Sequence, residues 1–160
     1  MSEGPVRRPA VAGFFYPSDK ASLLKTIEDC FKHALGPGKL PHLNRRGPRR
    51  ILGLVCPHAG YMYSGPIAAH AYALLAEDGF PEVFIIIGPN HTGIGAAVSI
   101  DFEDFMTPLG VAKNDTETGK MLVKGIIKED TVAHRYEHSV EVQIPFLQYI
   151  SKDFKFIPIV

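Results

Sequence analysis

Two short apolar runs of the chain each lead to a histidine. Ile51–Val55 precedes His58, and Val83–Ile87 precedes His91. A continuous run of this length, rich in β-branched residues and bounded by glycine and proline, predicts a strand buried on both faces. Such strands belong to α/β sheets, which bind ligands beyond the carboxyl ends of their strands. The pattern therefore predicts that His58 and His91 lie together at one edge of a sheet.

Apolar residues at helical spacing predict a helix before the first run and another between the two runs. The first predicted helix follows Ser18-Asp19, which offers an N-cap, and reaches Leu35, where Gly-Pro-Gly ends it. The second runs from about Pro66, which suits a first helical turn, to Asp78. The order strand, helix, strand predicts a βαβ unit in which Ile51–Val55 and Val83–Ile87 pair as parallel strands with a right-handed crossover.

The next part of the chain alternates between strand and helix patterns. A predicted strand at Ala96–Phe105 and its partner Val111–Lys113 flank the turn Thr107–Gly110, which indicates a hairpin. Asn114 or Asp115 then caps a predicted helix that reaches Ile127. The polar segment that follows, up to Glu137, predicts a loop.

Two segments near the end of the chain each allow two interpretations. His138–Ile150 shows both the alternation of a strand and the spacing of a helix, and Pro145 suits the interior of neither. Lys155–Val160 has the pattern of a strand. It is either a core strand, as expected in part of a longer protein, or an edge strand that tolerates Pro158.

Composition places the chain among ordinary globular domains. Of its 160 residues, 46% are hydrophobic and 21% are charged, and 17 basic residues balance 17 acidic ones. This balance gives no reason to expect nucleic acid or a membrane as a partner. No apolar run approaches the roughly 20 residues of a membrane helix, and the N-terminal residues lack the apolar segment of a signal peptide. We therefore expect a single α/β domain in the cytoplasm, with no disulfide between Cys30 and Cys56.

Three of the seven histidines stand out as candidates for chemistry. His58 and His91 follow predicted strands, and His138 lies in a polar cluster just before an apolar segment. The other four are weaker candidates for a functional site. His33 and His42 are expected in solvent, His70 on a helix and His134 in a loop.

Neutral imidazoles that converge on one cleft suit a transition metal such as iron, copper or zinc. Metal-binding histidines usually donate their second ring N–H to a carboxylate or carbonyl, and Glu137 and Glu141 flank His138 as possible acceptors. The alternative is that the histidines only cap strand ends through hydrogen bonds. Spacing alone does not decide between a metal site and that structural role.

Three residues near His58 allow both a functional and a structural interpretation. Cys56 is either a soft metal ligand or, as we favour, a small buried hydrophobe at the end of a strand. Tyr61 and Tyr63 either line a pocket and bind substrate or simply pack with their hydroxyl groups at its rim. The chain has no Gly-x-Ser-x-Gly, Gly-x-Gly-x-x-Gly or phosphate-loop motif.

Five motifs spread over nearly the whole chain occur together in one known family. They are Arg8–Pro17, Pro57–Tyr61, Gly88–His91, Thr107–Gly110 and Glu137–Glu141. Their residues and their order resemble the MEMO family. That family is similar in fold to the class III extradiol ring-cleavage dioxygenases, whose catalytic subunits bind non-haem iron(II).

The resemblance implies a three-layer α/β/α domain around a mixed sheet, and it favours a helix after His138. It implies that His58 and His91 are metal ligands and that His138 lines the same cleft. In metal-binding members the metal is iron or copper, and a third ligand, a cysteine in eukaryotic members, comes from a later segment that residues 1–160 do not include. The resemblance thus also implies that this chain is the incomplete, C-terminally truncated form of such a domain.

We therefore expect a metal-dependent, redox-active protein with a dioxygenase-like site. His58 and His91 would hold Fe(II) or copper, His138 would be a third contact or an acid/base, and Tyr61 would shape the pocket. Two alternatives stay open. The same cleft would bind a small molecule or a phosphopeptide without catalysis if the protein is an adaptor, or it would hold zinc for hydrolysis.

Overall fold

A mixed sheet of seven strands runs through the computed structural model, which describes residues 4–160. The strands are β1 (Val6–Arg7), β2 (Val83–Ile87), β3 (Ser99–Ile100), β4 (Asp104–Thr107), β5 (Gly110–Asn114), β6 (Lys128–Glu129) and β7 (Lys155–Ile159). Their order is β1-β4-β5-β7-β3-β6, and β2 pairs with β7 outside this path. Both parallel and antiparallel pairs occur, as a mixed sheet requires.

The last strand of the chain lies inside the sheet. β7 pairs in parallel with all five residues of β2, in parallel with β5 and antiparallel with β3. Phe156, Ile157, Pro158 and Ile159 are all buried. The core interpretation of this strand is thus confirmed. The edge interpretation is wrong, because β7 has partner strands on both of its sides, β2 on one and β5 and β3 on the other.

Helices occur as two long segments and three short ones among the described residues. They are α1 (Lys20–Lys32), α2 (Tyr61–Asp78), α3 (Thr116–Lys120), α4 (Thr131–His134) and α5 (Ile144–Ile150). The predicted N-cap of α1 is confirmed, since the Asp19 side chain accepts a hydrogen bond from the backbone N–H of Ser22 at 2.9 Å. A single 3₁₀ turn (Glu141–Gln143) precedes α5.

Helix α2 begins at Tyr61, so the predicted start near Pro66 is wrong. The backbone N–H of Tyr61 donates to the carbonyl of Phe15 at 2.7 Å, and Ser64 N–H already closes a helical turn on Gly60. Contacts with the N-terminal segment therefore open the helix before the proline. Its predicted end is confirmed, because Gly79 follows Asp78 with a φ of 109° that favours glycine.

Ile51–Val55 is not a strand, and the predicted βαβ unit is wrong. β2 pairs with the distant β7, and Leu52–Val55 make no backbone hydrogen bonds with other residues in the described part of the chain. The apolar pattern marks a segment that could pair, but a strand forms only where a partner backbone lies beside it. The choice of partner is a property of the tertiary structure.

The predicted strand at Ala96–Phe105 is divided into β3 and β4. The Asp101 side chain accepts hydrogen bonds from the backbone N–H groups of Phe102 and Glu103, which turns the chain between the two strands. The predicted hairpin is confirmed, because β4 and β5 pair antiparallel up to Thr107 opposite Gly110.

Three helical predictions are revised or resolved. The helix predicted from Asp115 to Ile127 is only the short α3, although Asp115 is its N-cap as expected. The segment predicted as a loop before Glu137 contains α4. After His138 the chain is helical, as the resemblance implies, and Pro145 occupies the first turn of α5, where its missing N–H costs nothing.

Apolar side chains pack against both faces of the sheet. The larger core joins α1, α2 and α5 to residues such as Phe84 and Phe156, and a smaller cluster on the other face holds Ile157 and Ile159 against Leu122. This arrangement fits the expected three-layer α/β class. Among residues 4–160, no helix has both the length and the apolar character needed to cross a bilayer.

Candidate metal centre

Three loops bring His58, His91 and His138 together at one end of the sheet. His58 precedes α2, His91 follows β2, and His138 precedes the 3₁₀ turn. One ring nitrogen from each histidine lies within 4.8 Å of the others. The Nε2 atoms of His58 and His91 are 3.3 Å apart, and the rings of His91 and His138 stack with centroids 4.6 Å apart. The fold therefore builds a cluster of three imidazoles from distant parts of the sequence.

One buried carboxylate supports two of the three rings. Oε1 of Glu137 accepts a hydrogen bond from Nδ1 of His91 at 3.0 Å and lies 3.3 Å from Nδ1 of His138. The same carboxylate accepts the backbone N–H groups of His91 at 2.5 Å, His138 at 2.7 Å and Ser139 at 2.9 Å. Glu137 therefore fixes both the ring of His91 and the loop that carries His138.

These contacts hold Glu137 in its charged form. Burial alone would raise its pKa, but hydrogen bonds from the His91 ring and from the N–H groups of Ser139, His91 and His138 outweigh burial and lower the pKa from 4.5 to about 2. Burial lowers the pKa of His138, and the other two histidines lower it further, although Glu137 opposes them. A neutral imidazole beside a carboxylate anion is the state that a metal ligand requires.

The separation of the His58 and His91 nitrogens suits a single transition-metal ion. Two imidazole nitrogens bound at about 2.0–2.1 Å to one ion stand about 2.8–3.4 Å apart, as neighbouring ligands in octahedral geometry or as ligands in tetrahedral geometry. The separation between His58 and His91 lies within this interval at 3.3 Å. Because Glu137 accepts the Nδ1–H of His91, the lone pair of that ring is on Nε2, which faces His58. The donor set thus fits a metal that prefers imidazole, such as iron, copper or zinc.

A close approach between two loops sets the distance between His91 and His138. A Cβ atom added to Gly88 would lie 2.4 Å from Oγ of Ser139, so only glycine fits there. The Ser139 hydroxyl donates to the carbonyl of Pro89 at 3.0 Å. Sequence reasoning named neither Gly88 nor Ser139 as part of the site, although both lie in motifs that carry the family resemblance.

Glu141, the other predicted partner of the rings, serves a different purpose. It is fully buried and forms an ion pair with Arg7, 2.7 Å between Nη1 and Oε2. It also accepts the backbone N–H groups of Ala10 and Val11 and the hydroxyl of Tyr16. The prediction that Glu141 supports a histidine ring is wrong, because its two oxygens accept four hydrogen bonds from the N-terminal segment and none from a histidine.

The N-terminal segment reaches the cluster through Phe15. The ring of Phe15 lies 4.6 Å from the ring of His138, between centroids. Tyr61, predicted to shape the pocket, is a buried residue of the core. Its hydroxyl donates to the carbonyl of Val142 at 2.7 Å, and its ring packs on Phe146. Tyr61 thus contacts the segment that follows His138 through its side chain.

The remaining candidates lie outside the cluster. Cys56 is half-buried, burial raises the pKa of its thiol to about 11, and its Sγ points to the carbonyl of Ala68 at 4.0 Å. These properties favour the small buried hydrophobe over the metal ligand. Tyr63 is 79% exposed, so it does not line an enclosed pocket.

The other four histidines have separate environments. His33 and His42 are exposed, as predicted. His70, predicted to pack on its helix, is instead exposed and bonds a backbone carbonyl of the segment after α1. His134, predicted to lie in a loop, is buried in α4 and its Nε2 bonds the carbonyl of Ser99 at 3.1 Å.

Comparison with known proteins connects this geometry to one family. The family described as "Memo-like protein" matches residues 7–160, which include the whole histidine cluster. A "MEMO1 family protein" of Methanobrevibacter smithii is 53% identical over 159 residues, 97% of this chain and 56% of the relative. Another, of Methanopyrus kandleri, is 52% identical over 157 residues, 96% of this chain and 55% of the relative. The chain thus spans about half the length of the curated relatives it matches.

Proposed function

This chain belongs to the Memo-like protein family, and on that premise we propose that it binds a redox-active transition metal, iron(II) or copper, through His58, His91 and His138. The observation that carries the proposal is the convergence of three imidazoles on one small volume, within 4.8 Å of one another. Three facial nitrogen ligands leave further coordination positions open for a small molecule. The proposed activity is oxidation of a small-molecule substrate in a dioxygenase-like site.

The protein's own residues would orient the metal ligands. Glu137 takes the Nδ1–H of His91, and its charge makes that imidazole a stronger donor at Nε2. Bound iron or copper would supply one-electron chemistry and a site for dioxygen. The N–H groups that hold Glu137 ionised keep its acceptor oxygens directed at the two rings.

His138 is the proposed catalytic residue of the cluster. Its side chain is more sheltered than that of His91, 20% against 42% exposed, and it packs between the rings of Phe15 and His91. A neutral imidazole in this position can serve as the third ligand or accept a proton from a bound substrate. Tyr61 would act as a positioning residue, because its hydroxyl holds the carbonyl of Val142 just after His138.

Metal analysis of protein purified without oxygen tests the proposal. We expect close to one iron or copper per chain after reconstitution, and a large loss of metal in His58→Ala and His91→Ala. The matched control is His70→Ala, which removes an exposed histidine outside the cluster. Equal metal content in all of these proteins would exclude the histidines as ligands.

The same measurement separates the two alternatives. A three-histidine set with an open position also suits catalytic zinc. Bound zinc together with esterase or amidase turnover would therefore replace the redox proposal with a hydrolase. Protein that takes up no metal but binds a phosphopeptide would replace it with an adaptor.

A further inference from the structure

Six exposed aliphatic side chains lie on and beside β2 near the cluster. They lie on the segment before His58 and on one face of β2, and are Leu52, Leu54, Val55, Val83, Ile85 and Ile87. Leu52 and Val55 are fully exposed, and Ile87 is 75% exposed. A contiguous apolar patch of this kind marks a binding surface or an aggregation hazard.

The alternation along β2 shows that one face of the strand is uncovered. Phe84 and Ile86 pack towards the helical core, whereas Ile85 and Ile87 point to the opposite face. In the ladder between β2 and β7, Ile85 is paired with Ile157 and Ile87 with Ile159. Both partners on β7 are buried in the smaller core. The covering layer therefore ends at β7, although parallel strands in α/β proteins are normally covered on both faces.

The edge of β2 that faces away from β7 is also open. Within residues 4–160, β7 is the only strand paired with β2. All five residues of β2 line a groove of about 410 Å³, and Ile51–Leu54 form its other wall. Leu52–Val55 have unpaired backbone groups as well, among the described residues. We call this cavity the β2 groove. It offers unpaired peptide groups on both walls, which is the template that an added strand requires.

The chemistry of the β2 groove restricts its occupant. Its lining is mainly aliphatic and aromatic, and no Lys, Arg, Asp or Glu is among the lining residues. Its inner side includes Tyr72 and Leu75 of α2 and Leu147 of α5, and His58 lies in the same lining. An uncharged, extended, apolar segment would fit, because its amides could pair with the open backbone while its side chains pack beside Ile85 and Ile87.

The relatives carry further polypeptide that could supply such a segment. The chain matches only 55–57% of the length of the curated relatives, so each relative has further residues outside the match. We propose that the β2 groove binds an apolar β-strand from the polypeptide that the relatives carry outside the matched region, either in the same chain or as a separate one. The added strand pairs with β2 on one side. On its other side it pairs with Ile51–Val55, which thereby becomes a strand.

Coexpression of two polypeptides tests this proposal without reference to metal. This chain is produced together with the part of the Methanobrevibacter smithii relative that lies outside the match. We expect a one-to-one complex in which hydrogen exchange slows at the amides of residues 51–55 and 83–87 relative to the chain alone. A complex that leaves these amides unchanged, or the lack of any complex, would overturn the proposal.

A matched pair of variants localises the contact. Ile87→Lys places a charge on the open face, and Ile126→Lys places one on an isoleucine of equal exposure, 76% against 75%, outside the groove. We expect Ile87→Lys to weaken the complex at least tenfold and Ile126→Lys to leave it unchanged, with both variants folded by circular dichroism. Equal effects of the two variants would overturn the proposal. Self-association of the chain alone that Ile87→Lys abolishes would also overturn it, and would show that the groove binds a second copy of the chain.

Discussion

The carboxylate of Glu137 accepts a hydrogen bond from Nδ1 of His91 at 3.0 Å, and this contact decides which nitrogen of the ring faces the cluster. A neutral imidazole has one N–H and one lone pair, so a proton held on Nδ1 leaves Nε2 free to bind. Glu137 also holds the loop of His138 through two backbone N–H groups. One residue therefore connects ring orientation and loop position in the proposed metal site.

Replacement of Glu137 by Gln should weaken metal binding while the histidines remain. The Gln side chain is neutral and presents an NH₂ group, so it no longer fixes the proton on Nδ1 of His91. We expect a loss of 10–100-fold in affinity, the usual effect of removing such a partner. Competition titration with a chromophoric chelator measures it. Glu129→Gln, at an exposed glutamate of β6, is the control, and unchanged affinity in Glu137→Gln would contradict the role assigned to this carboxylate.

The low pKa of Glu137 predicts a specific loss of stability in acid. Its pKa is about 2 in the folded protein and near 4.5 in the unfolded chain. Because the folded value is the lower one, the stabilisation is complete above about 4.5 and disappears as the pH falls towards 2. Urea unfolding of the wild type and of Glu137→Gln across this interval should give free energies of unfolding that converge at the acid end. A constant difference between the two proteins would exclude this linkage.

Glu141→Gln should destabilise the fold far more than a change in an exposed ion pair. Removal of one member leaves the buried Arg7 guanidinium without its counter-charge, which costs about 3–5 kcal/mol. Lys25→Ala breaks an exposed pair with Asp29 and should have no measurable effect. Chemical denaturation of both variants provides the comparison. A small effect of Glu141→Gln would contradict the importance assigned to this ion pair.

Gly88→Ala should disturb the contact between the loops that carry His91 and His138. The added methyl group would lie 2.4 Å from Oγ of Ser139, so one loop must move. We expect a destabilisation of about 1–3 kcal/mol, typical of overpacking, together with weaker metal binding. Gly53→Ala is the control, because nothing lies within 4 Å of the added atom. If Ser139→Gly in the Gly88→Ala background fails to restore stability, the clash is not the cause.

Local patterns in the sequence were sufficient for those parts of the fold that involve neighbouring residues. The cap at Asp19, the end of α2 at Gly79 and the hairpin between β4 and β5 each depend on contacts within a few residues. These contacts are local, so residue type and spacing predict them. The bounds of β2 and the position of His91 shortly after it were also predicted, from the apolar run Val83–Ile87 and the glycine and proline that follow it, although the strand itself forms by pairing with the distant β7.

Local sequence patterns did not predict which distant segments pair with each other. The apolar run Ile51–Val55 has the composition of a strand, yet β2 pairs with β7, more than sixty residues later in the chain. Glu137 and Glu141 are equally plausible partners for a histidine ring in the sequence. In the structure Glu141 forms an ion pair with the buried Arg7, and Glu137 accepts the hydrogen bond from His91.

The sequence by itself determined the class of the fold, the family resemblance and the three histidines to examine. Only the tertiary structure decided that their rings meet, which carboxylate supports them and which apolar face of β2 is left open. The physical reason is that a strand edge and a buried charge each require one partner. Which residue supplies that partner depends on how the distant segments pack together.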